Sequence, residues 1–248
     1  MSAVLTVSAL TKSFGEFRAV DHVDLSVADG EIRAVIGPNG AGKTTLFNLV
    51  TGHLRPTAGT VSFAGRDLTG RPPHVVARAG LARAFQVTNV FPRLSVLECM
   101  QYAVLAHQRR TNDFWTFRHR STAAEARQVL GDVGLAHLAT AEARTLSHGD
   151  QRALEVALAL ATRPRLLLLD EPTAGMSPWE TERTVALVRR LANETGLTVL
   201  FCEHDVDMVF SVADRITVMH QGQVIAEGPP AQVRADEQVN RVYLGEGV

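Results

Sequence analysis

The chain has 248 residues, 46% hydrophobic, 21% charged and 6% aromatic, with a formal net charge of −1. This is globular composition, and the length admits one large domain or one domain carrying an insertion. A near-neutral chain without a long basic block argues against nucleic acid or an anionic lipid surface as the main partner.

Residues 5–9 and 23–27 alternate apolar and polar side chains, predicting half-buried strands. Asp29-Gly30 turns the chain into Ile32–Ile36, a mostly apolar run that reads as a buried strand. A glycine-rich loop and an apolar helix pattern over 44–50 follow, closed by Gly52. A strand over 61–63 leads to a turn at Gly65, and Pro72-Pro73 stands where a short helix starts. From about 91 to 163 strand signals vanish, and helices are predicted over 95–107, 122–133 and 151–161. This stretch reads as a helical insertion in an α/β domain. The sheet resumes at 166–169, apolar throughout as in a parallel strand covered on both faces. A helix over 178–194 places Val185, Val188, Leu191 and Ala192 on one face. Strands at 197–201 and 216–219 follow, the latter returning through Gln221-Gly222 into 224–226 like a hairpin. The two cysteines, Cys99 and Cys202, form no CxxC pair and read as small buried hydrophobes in a reducing compartment. No apolar run reaches the ~18 residues of a membrane helix, and the N-terminus lacks a signal-peptide pattern. A membrane process would therefore need another chain to do the spanning.

Gly37-Pro38-Asn39-Gly40-Ala41-Gly42-Lys43-Thr44 fits GxxxxGK[ST], between a strand and a helix as that motif requires. Glycines let backbone N–H groups curl around phosphate oxygens, and the helix start adds its positive dipole end. Lys43 is expected to reach the β- and γ-phosphates, the Thr44 hydroxyl to hold Mg²⁺, and Thr45 to complete the nucleotide-binding set. The 166–169 strand ends at Asp170-Glu171. An acid delivered to the carboxyl edge of an open α/β sheet suits Mg²⁺ beside a phosphate loop, which makes Asp170 the metal residue. Glu171 is placed to polarise the attacking water.

Leu146-Ser147-His148-Gly149-Asp150-Gln151-Arg152 resembles the signature of ABC ATPases, most often LSGGQ. The order also matches that family: phosphate loop, Phe85-Gln86, signature, Asp170-Glu171, then Glu203-His204-Asp205. The resemblance covers essentially the whole chain. It implies a P-loop NTPase core with a mostly parallel sheet, an N-terminal antiparallel β subdomain and an inserted α-helical subdomain. On that pattern residues 1–86 and 164–248 form the nucleotide-binding core and 87–163 the helical subdomain. It further implies that two chains, identical or not, pair head to tail around ATP. Ser147 and the Gly149 N–H would grip the γ-phosphate held by the partner's loop. Gln86 would sense Mg²⁺ and the attacking water, His204 would contact the γ-phosphate and hold Glu171, and Phe14 would stack on adenine. With Lys43, these give Glu171, His204 and Gln86 as the catalytic set and Thr44, Gln86 and Asp170 as the metal set.

Three positions depart from the family pattern. His148 replaces the first signature glycine and Asp150 its glutamine. Ser177 stands where the following loop usually has aspartate; Ser177-Pro178-Trp179-Glu180 reads as a capping box with proline in the first turn. Arg83-Ala84-Phe85-Gln86, Asn89-Val90-Phe91-Pro92, Glu203-His204-Asp205-Val206-Asp207 and Val242-Tyr243-Leu244-Gly245-Glu246 resemble the ATP-binding subunits of importers for branched-chain amino acids. Urea or amide importers and lipopolysaccharide exporters are the near alternatives, and a non-transport ABC protein the distant one. The importer pattern implies permease subunits as partners and a peripheral place on the cytoplasmic face of the inner membrane, with membrane contact only through them. The aromatic and basic segment 113–120 is read as a packing cluster rather than a membrane contact.

Overall fold

The computed structural model describes residues 3–84, 91–108 and 119–244. Two sheets organise it. The first is antiparallel, in the order β2 (Phe17–Ala28), β1 (Ala3–Phe14), β4 (Ala58–Phe63) and β5 (Arg66–Asp67). The second runs β10 (Gln223–Gly228), β9 (Arg215–His220), β3 (Ile32–Ile36), β8 (Thr198–Cys202), β7 (Leu166–Asp170) and β6 (Leu81–Ala84). Its strands β9, β3, β8, β7 and β6 are parallel, and β10 closes one edge antiparallel.

The central strands β3, β7 and β8 are buried at every residue, as a sheet covered on both faces demands. Their alternation sorts side chains into two cores. Val35, Leu166, Leu168, Leu200 and Cys202 face the antiparallel sheet and α1 (Lys43–Val50). Ala34, Ile36, Leu167, Leu169, Val199 and Phe201 face the opposite way, onto Val188, Leu191 and Ala192 of α6 (Pro178–Thr195). Arg33 breaks the apolar run of β3 yet is only 2% exposed. Glu31 at 2.5 Å and Glu227 at 2.9 Å neutralise it, and Thr217 and the Ser26 carbonyl take further donors. A buried charge is tolerated on those terms.

Helices α3 (Val96–His107), α4 (His119–Asp132) and α5 (His148–Leu160) build a third core from Val96, Met100, Leu130, Leu154 and Ala157, joined by Leu135 just after α4. α5 straddles two of them, because Val156 and Ala159 turn into the sheet core. Ser95 opens α3 with a reciprocal capping box to Glu98. The remaining helices are α2 (Pro73–Ala79), which packs on β6, α7 (Val206–Val212), α8 (Pro230–Ala235) and α9 (Glu237–Val239).

The predicted central strands and long helices match these elements to within a few residues. The alternating pattern at 5–9 and 23–27 marks only five residues in each of two 12-residue strands. Strand β6 was not expected: it has four residues, Leu81-Ala82-Arg83-Ala84, with an arginine inside. It forms by pairing with β7 rather than by propensity.

Candidate nucleotide site

Of the predicted site residues, the phosphate loop, Asp170, Glu171 and His204 fall at the carboxyl ends of β3, β7 and β8, which lie side by side in the sheet. The loop 37–42 leaves β3 and enters α1. Gly37 has φ 148°, and a Cβ there would lie 2.0 Å from the Met219 carbonyl oxygen. Gly42 has φ 101°, and a Cβ would lie 2.3 Å from the Ala19 carbonyl oxygen. Both positions therefore require glycine, for backbone sign and for space. The loop is braced by Ala41 N–H to the Pro38 carbonyl and by Gly222 N–H to the Ala41 carbonyl. Asn39 and Gly40 are exposed at its crest, Thr44 is exposed on the first turn of α1, and Thr45 is half-buried behind it. No acid stands in that first turn, so the positive end of the helix is uncompensated by its own residues.

Lys43 is 6% exposed and curls back over the loop, donating to the carbonyls of Gly37 at 2.6 Å and Pro38 at 3.1 Å. Burial lowers its pKa, while the carboxylates of Glu171 and Asp170 pull it upward. Lys43 thus lies within the electrostatic reach of both acids. Asp170 ends β7 at 5% exposure. One carboxylate oxygen accepts from Arg83 at 2.5 Å and the other from the Cys202 thiol at 2.9 Å. Burial and the neighbouring carboxylate push the Cys202 thiol far up, so it stays a neutral donor.

Glu171 follows with φ 50°, left-handed backbone that a non-glycine residue adopts at a cost of about 1 kcal/mol or more. Its N–H continues the β7–β8 ladder onto the Cys202 carbonyl at 3.0 Å. Its carboxylate meets His204 Nε2 at 2.8 Å. A carboxylate can only accept, so Nε2 carries the hydrogen. Glu203, 3% exposed, fixes the surroundings: it accepts from the Thr173 N–H at 2.7 Å, the Thr173 hydroxyl at 2.6 Å and the His204 N–H at 3.1 Å. It ties the loop after β7 to the loop after β8.

The signature residues sit on the helical layer. Ser147 caps α5, accepting the Asp150 N–H at 3.1 Å and donating to Asp150 Oδ2 at 2.8 Å. Gly149 N–H donates to Glu180 Oε1 at 3.1 Å. Ser177 and Glu180 form the predicted capping box at the start of α6. The hydrogen bonds of Ser147 and Gly149 thus go to α5 and α6, and the chain by itself does not join them to the 37–44 loop. Phe14 is 49% exposed beside Phe17, its pairing neighbour across the β1–β2 hairpin, with Lys12 Nζ 5.0 Å from its ring centre. It belongs to the strand pair whose Ala19 abuts Gly42. Gln86, with Phe85, Asn89, Val90 and residues 113–118, lies outside the described residues.

Sequence reasoning gave no site role to Arg83 or Glu203, and gave Glu180 only its place in the capping box. Arg83 alternates with alanines in a weak strand, and its partner is 87 residues away. In the sequence Glu203 is only one letter of the Glu203-His204-Asp205 motif. Its burial, which marks it as structural, is a property of the folded chain.

The residues 20–174 match the family model described as ABC transporter, and 223–248 match the one described as branched-chain amino acid ATP-binding cassette transporter. The chain is 41% identical to the high-affinity branched-chain amino acid transport ATP-binding protein BraF of Pseudomonas aeruginosa, over 98% of each chain. Among solved structures, it resembles the ADP conformation of an ATP-binding cassette of an ABC transporter. That match has a TM-score of 0.88 and 32% identity, over 99% of this chain and 100% of that one. It also resembles a dimeric bacterial ABC transporter cassette, at TM-score 0.78 and 25% identity, over 91% and 98%. No described helix is long and apolar enough to cross a membrane. With these matches and an ATP-binding fold over its whole length, the chain belongs to the ABC transporter family, as an ATPase subunit.

Proposed function

We propose that two copies of this cassette, or this chain and a second ABC ATPase, close head to tail on ATP and so drive a permease that imports branched-chain amino acids. The observation that carries the reading is the convergence at one sheet edge. Adjacent parallel strands deliver the phosphate loop, the Asp170-Glu171 pair and His204 to the place where open α/β sheets bind ligands. Residues 1–86 and 164–248 form the nucleotide-binding core, and 87–163 the helical subdomain that carries the signature.

Gly37, Pro38, Asn39, Gly40, Ala41 and Gly42 wrap the phosphates with backbone N–H groups. Lys43 exchanges the Gly37 and Pro38 carbonyls for the β- and γ-phosphates. Phe14 supports the adenine ring. Mg²⁺ would neutralise charge developing between the β- and γ-phosphates. The donors present fit it: the Thr44 hydroxyl and the Asp170 carboxylate, fixed by Arg83 and Cys202, would hold the ion. A short protein donor set completed by phosphates and water is the usual Mg²⁺ arrangement. Gln86 joins that set. Glu171 orients the attacking water, and His204 holds Glu171 and faces the γ-phosphate. Ser147 and the Gly149 N–H of the opposing protomer complete the clamp.

Importer cargo is supported by the match of 223–248 and by BraF. The chain then works at the cytoplasmic face of the membrane, held there by permease subunits. Deleting it in its source organism should abolish high-affinity leucine uptake. Wild-type chain should restore uptake, and Glu171→Gln should not. Unchanged leucine uptake with loss of urea uptake would move the cargo to amides.

A further inference from the structure

The Gly149 N–H of the signature turn is already engaged. Glu180 Oε1 already accepts the Gly149 N–H, and a Cβ on Gly149 would lie 2.8 Å from that oxygen and 3.1 Å from Glu180 Cγ. The second oxygen, Oε2, accepts from the Ser177 N–H at 3.0 Å and its hydroxyl at 2.8 Å. One carboxylate therefore joins the signature turn, the start of α6 and the loop that descends from Glu171. A cavity of about 260 Å³ lies against this junction, bordered by Ser147, Gly149, Asp150, Trp179, Glu180 and Arg183. It leaves room for the side chain to swing off Gly149 while Oε2 keeps its hold on Ser177.

A carboxylate and a phosphate oxygen are both anionic acceptors, and an N–H that serves one is withheld from the other. Resting on the reading of Gly149 given above, we propose that Glu180 is an internal stand-in anion. It occupies the phosphate-binding N–H of the signature turn until the γ-phosphate carried by the opposing protomer displaces it. Two consequences follow from the connectivity. ATP must outcompete a tethered carboxylate before the clamp closes. Displacement also pulls on the loop 172–177, whose far end is Glu171, so the arrival of nucleotide at the signature turn is felt at the same chain's own hydrolytic carboxylate.

The test uses the full chain in a Glu171→Gln background with Mg²⁺, reading dimer formation by light scattering as ATP is raised. Glu180→Gln keeps an oxygen for the Ser177 N–H but removes the charge. It should lower the ATP concentration at half-maximal dimerisation by about threefold or more, since neutral acceptors bind an N–H roughly half as strongly. Glu180→Ala should shift it in the same direction while lowering the thermal midpoint, because the cap is lost too. Were Glu180 only a helix cap, both variants would lower stability and leave the ATP requirement unchanged or raised, which overturns the inference. A Glu171→Gln parent that never dimerises sinks the two-protomer reading, and this inference with it.

Discussion

The two proposed half-sites differ in construction. At the sheet edge, functional groups hang from buried parallel strands: Asp170 is locked between Arg83 and Cys202, Glu171 is held by a strained φ and by His204, and Glu203 staples the two loops together. On the helical layer, Ser147 and Gly149 stand on a capped helix end whose partners, Asp150 and Glu180, come from helix surfaces. The first half-site is fixed by the core of the domain. In the second, carboxylates of the same chain accept from Ser147 and Gly149, and on the proposed reading these donors are released to an outside anion. On the proposed reading, rigidity belongs to the chemistry and exchangeability to the partner contact, the arrangement that couples binding to movement.

The contrast can be broken at several points. The largest effect is expected from Glu171→Gln, which should leave ATP affinity intact and cut turnover about a thousandfold, the scale of a lost general base. Phosphate release alongside a nucleotide titration reads both; unchanged turnover would remove Glu171 from the mechanism. Arg83→Ala should cost about 3–5 kcal/mol of stability in denaturant unfolding, because it strands the buried Asp170 carboxylate. A loss under 1 kcal/mol would show that the sheet edge is less locked than its geometry implies. Lys43→Ala should weaken ATP binding about a hundredfold, about 2.7 kcal/mol by calorimetry. On the helical side, Ser177→Ala should cost only about 1 kcal/mol, the worth of a helix cap, read as a small fall in thermal midpoint.

How much of this was legible in the sequence follows the same division. The phosphate loop, the Asp170-Glu171 pair and the Ser177 cap depend on local spacing, and local spacing is what a sequence displays. The strands β3, β7 and β8 were legible because burial on both faces writes an apolar run. β6 was not, since four residues containing Arg83 have no period to detect, and only pairing with β7 makes them a strand. The bonds Arg83–Asp170, Cys202–Asp170 and Thr173–Glu203 join residues 30 to 87 positions apart, and no local pattern announces them. Glu180 shows how a local reading can be right and incomplete. Its place in the capping box is visible in four letters, but its bond to Gly149, 31 residues upstream, exists only after α5 and α6 have packed.

The account stands on ATP being clamped between two protomers. The direct measurement is the solution mass of Glu171→Gln at saturating ATP and Mg²⁺, with bound nucleotide counted on the same sample. The predicted result is twice the mass of one chain with two ATP molecules per particle, reverting to single mass when nucleotide is removed. A particle of single mass with ATP bound, in isolation and again in the presence of its permease, would contradict it.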